Sequence, residues 1–514
     1  MITREICEKN KVANNKYILA IDQGTSSTKS LIFDEAGIAI AKGSESLHTS
    51  YLDNGFVEQD AEEIYKNVLA SVKKCLQQFT EKGFDTNDIT AIGISNQRET
   101  FVIWDKDGKP LHPAVVWQCK RSVRVCEDLK QKSLPAGRQG LSETIKGKTG
   151  LVIDPYFSAT KLIWLNQNNS TIQSAISEGE AFFGTIDTWL LYKFTNGKEY
   201  ATDYTNASRT LFFNLHTLQW DNELINEFGL TAINLPELKA SSSLFGKTTL
   251  NDILPKSIPV TALIGDSHAA AFGEGCFEAG TAKATLGTGC SILMNIGSKP
   301  MQSTNGMVTT ICWSTEGRID YALEGVIVSC GATIEWLKNE LNLFSDSKET
   351  EGMANAVADN GGVYLIPAFS GLGSPHWQME RKASLSGIDF GTTKDHIVRA
   401  ALESIPYQIA DVIAAMEKDA MLSLKKLMTD GGITSNGFVM QFLADLLSKP
   451  VATIGITDVS ALGAAYLAGL QAGVYESIEV LKKLNSDKKN YLPRPELSKV
   501  NEGYAGWQKT INRK

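Results

Sequence analysis

The 514-residue sequence lacks the cysteine patterns of a disulfide framework or a metal site. Its eight cysteines are scattered, with no Cys-x-x-Cys pair and no Cys/His ligand spacing, which is typical of reduced thiols. The polar N-terminus carries no apolar run, and the most apolar late stretch, residues 461–474, is short and interrupted by three glycines. These absences disfavour a signal peptide and a membrane-spanning helix, so we expect a cytoplasmic protein without membrane insertion.

An excess of positive charge is absent as well. The formal net charge of −8 disfavours nucleic acid or an anionic membrane as the main partner, although it leaves room for a local basic pocket. Apolar residues make up 43% of the chain and charged residues 21%, the balance of a globular protein. A chain of this length exceeds one ordinary core, so we expect two or more domains.

Two nucleotide-binding signatures are also missing. No Gly-x-x-x-x-Gly-Lys-Ser/Thr segment occurs, which disfavours a P-loop ATPase. There is no His-Arg-Asp catalytic loop of the protein kinases either. Any chemistry on a nucleotide must therefore use a different phosphate-binding arrangement.

What the sequence does contain is the same kind of glycine-rich turn in each half. Asp22-Gln-Gly-Thr-Ser-Ser-Thr-Lys29 and Leu286-Gly-Thr-Gly-Cys-Ser291 each lie between two apolar, strand-like runs. Glycine lets the backbone approach a ligand closely, and successive amides with hydroxyls can surround phosphate oxygens. Two such turns predict two related lobes that close on a nucleotide from opposite sides.

Strand-like and helix-like runs alternate along the chain, which favours the α/β class. Residues 61–79 have helical spacing, with Ile64, Val68, Val72 and Cys75 on one face. Residues 130–148, rich in glycine and charge, are expected to form a surface loop. A new buried strand at 260–264 suggests a division into 16–262 and 263–514.

Two aspartates follow buried strands and are candidates for catalysis. Asp22 precedes a hydroxyl-rich turn, and magnesium prefers one or two carboxylates together with water and phosphate oxygens. Asp266 opens an alanine-rich helix and could act as a general base that accepts a hydroxyl proton. The alternatives are an ordinary hairpin loop for the first and a helix cap for the second.

Three further segments carry side chains suited to a polyol and a nucleotide. Arg98 and Glu99 supply a hydrogen-bond donor and an acceptor, side by side, for the hydroxyls of a polyol, unless they form a self-satisfied surface ion pair. Trp117 could form a flat apolar wall and Tyr156 a hydroxyl donor, with packing in the core as the alternative for both. The segment 430–436 offers paired glycines for close approach to adenosine and Asn436 for a base edge or phosphate, or else a simple strand-to-helix turn.

These segments together resemble the FGGY carbohydrate kinases, and within them the bacterial glycerol kinases, from about residue 16 to 512. The blocks that carry the resemblance occur in order: DQGTSSTK (22–29), NQRET (96–100), VVWQ (115–118), DPYFSATK (154–161), IDTWLLYK (186–193), TDYTNASRT (202–210), LGTGC (286–290), PAFSGLGSPHW (367–377), DGGITSN (430–436) and ALGAAYLAG (461–469).

The resemblance implies an α/β fold of two ribonuclease-H-like lobes, as in actin and Hsp70, with a catalytic cleft between them. It implies ATP-dependent phosphorylation of glycerol to sn-glycerol 3-phosphate, with ATP and Mg²⁺ bound. Asp22 would hold the metal and Asp266 would be the base. The other implied roles are polyol binding by Arg98, Glu99, Trp117, Tyr156, Asp266 and Ser267, and nucleotide binding by Thr25, Ser26, Ser27, Lys29, Thr288, Gly331, Glu335, Gly432 and Asn436.

Several positions depart from the family pattern. Lys29 stands where members usually carry Arg, and Glu335 where they usually carry Gln. On the implied substrate side, Ser267 replaces a Gln that bonds glycerol, and Ser291 replaces a Phe that packs on its carbons. Loss of that wall favours a wider, more polar pocket, so erythritol, another tetritol or a small ketose is an alternative substrate.

A third hypothesis is an actin- or Hsp70-like ATPase that moves a protein partner. It requires a peptide-binding appendage or a filament surface, and it leaves Asp266, Arg98 and Glu99 without a role. The implied partners are therefore a small polyol and ATP, with no nucleic acid. The family further implies a homodimer or a homotetramer, between which nothing in the sequence decides.

Overall fold

The computed structural model describes residues 16–132, 140–484 and 489–513, and in these ranges strands and helices alternate as the sequence predicts. The expected loose leader, residues 1–15, lies outside the described residues. In the ranges described, no helix combines the length and apolarity needed to cross a bilayer. The chain divides into two compact units.

The first unit contains the described residues up to Gly273 together with Trp313–Ile319 and Ser460–Leu484. Asp266 therefore lies in the first unit. Its strands are β1 (Tyr17–Gln23), β2 (Ser27–Phe33), β3 (Ala39–Ser46), β4 (Ser50–Tyr51), β5 (Val57–Gln59), β6 (Ile89–Asn96), β7 (Phe101–Trp104), β8 (Ala114–Val115), β9 (Phe182–Thr185), β10 (Ala201–Asp203), β11 (Phe213–Asn214), β12 (Gln219–Trp220), β13 (Glu237–Lys239), β14 (Ser242–Thr248) and β15 (Ile258–Gly265). Its helices before residue 274 are α1 (Ala61–Glu81), α2 (Val123–Gln131), α3 (Leu141–Thr149), α4 (Ser158–Asn168), α5 (Ser170–Ser177), α6 (Ile186–Phe194), α7 (Tyr204–Ala207), α8 (Asn222–Glu227) and α9 (Asp266–Gly273).

The main sheet of the first unit has the strand order β14-β15-β6-β1-β2-β3. Strands β1, β6 and β15 are parallel neighbours and read as almost continuous apolar runs, as expected for strands buried on both faces. The register sets Asp22 opposite Ser95, and Asn96 opposite Gly265. The carboxyl ends of three strands therefore meet at one edge, which carries Asp22, the Arg98–Glu99 turn and Asp266.

Helix α1 confirms the predicted helical face. Ile64, Val68, Val72 and Cys75 are fully buried, and Asp60 caps the helix by accepting hydrogen bonds from the amides of residues 62 and 63.

The prediction of a surface loop over 130–148 is wrong at both ends, because residues 130 and 131 end helix α2 and the residues from 141 onward are helical. Leu141–Thr149 is helix α3, because Leu141 and Ile145, one turn apart, are both buried, and Gly150 ends the helix with φ of 74°. The residues 133–139 of that expected loop lie outside the described part of the chain.

The second unit contains Glu274–Cys312, Asp320–Val459 and the described residues from 489 onward. The remaining strands are β16 (Thr281–Leu286), β17 (Cys290–Gly297), β18 (Val308–Thr315), β19 (Arg318–Ile327), β20 (Tyr364–Ile366), β21 (Ser384–Ser386), β22 (Lys426–Asp430), β23 (Val451–Thr453) and β24 (Lys489–Tyr491). The remaining helices are α10 (Gly331–Asn339), α11 (Glu349–Ala356), α12 (Lys394–Ala420), α13 (Gly437–Leu447), α14 (Val459–Gln471), α15 (Ile478–Leu484) and α16 (Ser498–Ile511), of which α14 from Ser460 onward and α15 belong to the first unit. Three-residue and four-residue 3-10 helices occur at Asp53–Gly55, Thr86–Asp88 and Gly432–Ser435.

The main sheet of the second unit repeats the topology of the first. Its order is β24-β23-β22-β16-β17-β19-β18, with β16, β17 and β19 antiparallel and β22 parallel to β16. In the first unit, β1, β2 and β3 are likewise antiparallel and β6 is parallel to β1. The predicted α/β class with two ribonuclease-H-like units is thereby confirmed.

Candidate active site

The predicted phosphate turn of the first unit combines a carboxylate, hydroxyls and a cation. Asp22 accepts a hydrogen bond of 3.1 Å from the Oγ of Ser95, and it lies directly opposite Lys29 in the β1–β2 pair. The amide of Gly24 donates to the carbonyl of Ser27 over 3.0 Å and closes the turn. The turn hydroxyls of Thr25, Ser26 and Ser27 lie at half-buried or exposed positions.

The donor set at Asp22 fits magnesium. The described ranges contain no group of three or more His, Cys, Asp or Glu side chains that could hold a metal ion. Magnesium is usually bound through one or two carboxylates and keeps waters and phosphate oxygens as its other ligands. The Asp22 carboxylate beside a hydroxyl-bearing turn therefore suits a metal that arrives with a phosphate.

Arg98 and Asp266 meet at the ends of neighbouring parallel strands. The Nε of Arg98 lies 3.4 Å from the Oδ1 of Asp266, and the Arg98 side chain is 6% exposed against 39% for Asp266. The amide of Ser267 donates to the same Oδ1 over 2.6 Å. Asp266 thus opens α9 and also faces a buried cation, so capping and a chemical role are compatible at this position.

Glu99 forms a buried ion pair with Arg209. The Oε1 of Glu99 lies 2.6 Å from the Nε of Arg209, and their side chains are 1% and 2% exposed. Glu99 has φ of 59°, and its carbonyl accepts a hydrogen bond from the Oγ of Ser158. The alternative of a self-satisfied surface ion pair is wrong, because Arg98 and Glu99 are buried and each faces a different partner. A left-handed non-glycine residue held by buried contacts is a feature that clusters at functional sites.

The side chains of Trp117 and Tyr156 pack against each other. Their ring centroids are 5.6 Å apart in an edge-to-face arrangement, and both residues are half-buried rather than enclosed in the core. The indole Nε1 of Trp117 donates a hydrogen bond of 2.9 Å to the Oγ1 of Thr25. The predicted polyol wall is thereby joined to the predicted phosphate turn.

Lys161 is a buried cation that the sequence reasoning missed. Its Nζ donates to the carbonyl oxygens of Pro155 and Tyr156 over 3.0 and 2.5 Å and so fixes the loop that presents Tyr156. Burial lowers the pKa of the Lys161 ammonium to about 7, against the opposing attraction of Glu99. Its position within DPYFSATK was visible, but nothing in a helical lysine indicates that it points inward.

The second unit contains a cavity of about 800 Å³ that brings together the predicted nucleotide residues of that unit, whereas Thr25, Ser26, Ser27 and Lys29 do not line it. Thr288, Gly331, Glu335, Gly432 and Asn436 all line it. Leu286, Gly287, Ala332, Ile334, Leu402, Ile433 and Ser435 complete most of the wall, together with the stretch Asp346–Lys348, Thr350 and Glu351. The stretch from 346 to 351 was missed, because its polar residues have no periodicity that predicts a pocket.

The wall of this cavity depends on close backbone approach. The amides of Gly331 and Ala332 donate to the carbonyls of Gly287 and Thr288 over 2.9 and 3.1 Å, which fixes the β16–β17 turn on the start of α10. A Cβ at Gly331 would lie 2.7 Å from the Gly287 carbonyl oxygen, whereas a Cβ at Gly432 would meet no protein atom within 4 Å. Gly432 therefore lines the cavity at a position where a side chain would meet no protein atom.

Asn436 lines the cavity but has partners within the protein. Its Oδ1 accepts from the amide of Val439 and caps α13, and its Nδ2 donates to the Oγ1 of Thr350. Asn436 thus holds α13 against Thr350, in the 346–351 stretch of the cavity wall. Contact with a nucleotide stays a prediction for this residue.

The two serines that depart from the family pattern lie in different units. Ser267 is 9% exposed in the first turn of α9. Ser291 is half-buried in β17, with its Oγ 3.5 Å from the Oε1 of Glu324.

The chain is similar to known proteins over nearly its whole length. The chain matches the model of the FGGY family of carbohydrate kinases, N-terminal domain, over residues 17–273 and the C-terminal domain over 282–472. It is 44% identical to a glycerol kinase of Bacillus velezensis over 96% of this chain and 98% of the relative, and 43% identical to glycerol kinase 2 of Thermotoga maritima over 97% and 98%.

Solved structures give the same result. The crystal structure of Plasmodium falciparum glycerol kinase with ADP superposes with a TM-score of 0.90 at 35% identity, covering 97% of this chain and 98% of that one. A ligand-bound xylulose kinase from Lactobacillus acidophilus, at 21% identity and a TM-score of 0.84, shares the fold, with coverage of 96% and 98%. The chain belongs to the FGGY family of carbohydrate kinases.

Proposed function

We propose that this chain transfers the γ-phosphoryl group of ATP to glycerol and releases sn-glycerol 3-phosphate and ADP. The observation that carries the proposal is the Arg98–Asp266 pair, in which a partly exposed carboxylate lies 3.4 Å from a buried guanidinium. Full-length relatives at 43–44% identity that are named glycerol kinases support the same substrate.

Asp266 is the general base of this proposal. An ionised carboxylate can accept the proton of an attacking hydroxyl as the oxygen bonds to the γ-phosphorus. The start of α9 and the Arg98 guanidinium both favour the ionised form. Its 39% exposure leaves the carboxylate accessible to a substrate hydroxyl.

The remaining polyol contacts follow from donor and acceptor chemistry. Arg98 donates hydrogen bonds, Glu99 accepts them, and Tyr156 does either. Trp117 gives the carbon chain a flat apolar surface. A triol needs this combination because each hydroxyl is both donor and acceptor, and positioning it correctly contributes a large part of the rate.

ATP binds with its adenosine in the cavity of the second unit, and Thr25, Ser26, Ser27 and Lys29 bind phosphate oxygens. Asp22 holds Mg²⁺, which when bound neutralises charge on the phosphates. Lys29 adds a positive charge opposite Asp22. No covalent enzyme intermediate is required.

A second candidate is phosphorylation of a four-carbon polyol or a small ketose. The observation that favours it is the pair Ser267 and Ser291, two small polar side chains at positions where the family resemblance implies Gln and Phe. A smaller, more polar wall would admit a longer substrate.

A single assay tests both candidates. ADP release from Mg-ATP is measured against glycerol, erythritol, ribitol, xylulose and dihydroxyacetone, with kcat and KM for each. Glycerol turnover with the highest kcat/KM supports the proposal, whereas activity confined to a larger substrate supports the second candidate. ATP hydrolysis that no polyol stimulates contradicts both.

A further inference from the structure

One segment of the first unit, Asp203–Arg209, contacts Glu99 and Tyr156 of the predicted polyol site and the backbone next to Asp266. It consists of the last residue of β10, the helix α7 and the turn that follows, and apart from Tyr204 its residues are buried. Neither the composition of this segment nor its residue spacing predicts a role. A role can be inferred only from the contacts that it makes in the folded chain.

Arg209 contacts two side chains that are predicted to bind polyol hydroxyls. Its Nε donates to the Oε1 of Glu99 over 2.6 Å. Its guanidinium carbon lies 5.9 Å from the ring centroid of Tyr156 and 5.1 Å from that of Phe157. Since the guanidinium is planar and buried, it fixes the direction in which the Glu99 carboxylate faces and supports the Tyr156 ring from one side.

The other residues of the segment hold the backbone beneath Asp266 and Arg98. The amide of Gly265 donates to the Oγ1 of Thr205 over 2.9 Å, one residue before Asp266. Asn206 and Asn96 exchange side-chain amide hydrogen bonds of 3.0 and 2.9 Å. Asn96 is the last residue of β6, from which the Arg98–Glu99 turn begins.

Asp203 fixes this segment in turn. It accepts hydrogen bonds from the amides of Thr205 and Asn206, and a hydroxyl hydrogen bond of 2.6 Å from Ser241. The segment is therefore a hydrogen-bonded support, buried except at Tyr204, rather than a loop that adapts to its contacts.

We propose that Asp203–Arg209 is a positioning segment for the polyol site, and that Arg209 acts on polyol affinity through Glu99 and Tyr156. This inference rests on the proposed function, since it assigns the segment to the same site. Arg209 is a positioning residue, and its effect is expected in the KM for the polyol rather than in the KM for ATP.

The experiment uses the full chain and four variants: Arg209→Gln, Arg209→Lys, Glu99→Gln and the double variant Glu99→Gln/Arg209→Gln. Arg124→Gln is the matched control, because Arg124 is 81% exposed and forms its ion pairs on the surface of α2. The polyol is the one that wild type phosphorylates best in the substrate panel. Amide hydrogen exchange of residues 97–100 is measured on the same proteins.

We expect Arg209→Gln to raise the polyol KM about 10- to 100-fold while the ATP KM stays within twofold. Arg209→Lys keeps the charge without the planar geometry and should raise the polyol KM about 3- to 10-fold. The polyol KM of the double variant should lie within twofold of that of Glu99→Gln alone, because both substitutions break the same interaction between Arg209 and Glu99. Exchange at 97–100 should rise at least tenfold in Arg209→Gln and stay unchanged in Arg124→Gln.

A polyol KM within twofold of wild type in a folded Arg209 variant, or fully additive effects in the double variant, overturns the inference. If Arg209→Gln does not fold, Arg209→Lys alone and combined with Glu99→Gln decide the question by the same two criteria. If wild type phosphorylates no polyol, the proposed function fails, and amide exchange then decides separately whether Arg209 holds residues 97–100.

Discussion

The indole of Trp117 donates a hydrogen bond of 2.9 Å from its Nε1 to the Oγ1 of Thr25. One residue belongs to the predicted polyol wall and the other to the predicted phosphate turn. The amide of Gln59 reinforces the same turn, because its Nε2 donates to the carbonyl of Thr25 over 2.7 Å. The position of the Thr25 hydroxyl therefore depends on a residue that is predicted to bind the other substrate.

Replacing Trp117 by Phe keeps an aromatic wall and removes the donor. We expect the KM for ATP to rise about 3- to 10-fold, because one neutral hydrogen bond that orients a phosphate ligand is lost. The KM for the polyol should change less than twofold. Steady-state kinetics with each substrate varied separately measures both values.

Tyr156→Phe provides the crossed control for that change. It removes a hydroxyl predicted to face the polyol and should raise the polyol KM while leaving the ATP KM unchanged. The coupling between wall and turn is contradicted if Trp117→Phe affects the polyol KM alone.

The first unit shows how far the sequence could predict this site and where it stopped. Asp22 and Asp266 could be singled out because each follows a buried strand, and the parallel register then brings these strand ends together. The Glu99–Arg209 pair could not be predicted, because the two residues are far apart in the chain and no local pattern pairs them. Arg209 belongs to TDYTNASRT (202–210), one of the segments that carry the family resemblance, but no role was predicted for it.

In the second unit, glycine-rich turns predicted residues that line the cavity, whereas polar loops gave no such prediction. Gly331 and Gly432 were expected at a nucleotide site and both line the cavity. Lys348 and Glu351 line it as well, although they lie in a polar stretch without apolar periodicity. In the first unit, the last part of the loop expected over 130–148 is helix α3, because the buried pair Leu141 and Ile145 outweighs the glycine and charge around it.

Gly432→Ala tests the cavity of the second unit. A Cβ at this position meets no protein atom within 4 Å, so the variant should fold with an unchanged melting temperature. Because Gly432 lines the cavity, we expect the added methyl group to collide with the nucleotide and raise the ATP KM about 10-fold or more, with little change in the polyol KM. Gly352→Ala in α11, where a Cβ also meets nothing, is the control and should leave both KM values unchanged. An ATP KM equal to wild type in Gly432→Ala would place the nucleotide elsewhere.

Asp187 predicts a pH dependence of stability. It is fully buried near Asp203, and burial together with that neighbouring charge raises its pKa to about 7, although the hydroxyls of Thr185 and Thr202 donate to it. Between about pH 4 and pH 7 the folded chain therefore holds a proton that the unfolded chain releases. The bound proton therefore stabilises the folded chain at low pH, and the free energy of unfolding decreases as the pH rises from about 4 toward 7.

Asp187→Asn should remove that loss. We expect the urea midpoint of the variant, relative to wild type, to increase between pH 5 and pH 8. Asp128→Asn on the exposed face of α2, where the side chain is 62% exposed, should show no such trend. A midpoint difference for Asp187→Asn that is constant over this range contradicts the raised pKa.

Ser291→Phe tests whether the serine widens the polyol pocket. Restoring an apolar wall should increase the ratio of kcat/KM for glycerol over erythritol about 5- to 100-fold, the range expected for burying an aromatic ring against a substrate. The ATP KM is measured in parallel and should stay unchanged. An unaltered ratio would mean that residue 291 does not shape the pocket.

In the proposed reaction the Asp266 carboxylate removes the proton from the attacking hydroxyl. The most direct test of this role is the kcat of Asp266→Asn with glycerol and Mg-ATP, measured beside Asp128→Asn, which makes the same change at an exposed position of α2. With Asp266 as the base, Asp266→Asn should have a kcat lower by roughly 10²- to 10⁴-fold and a nearly unchanged ATP KM, and the control should retain most of its activity. Near-normal turnover by Asp266→Asn would contradict it.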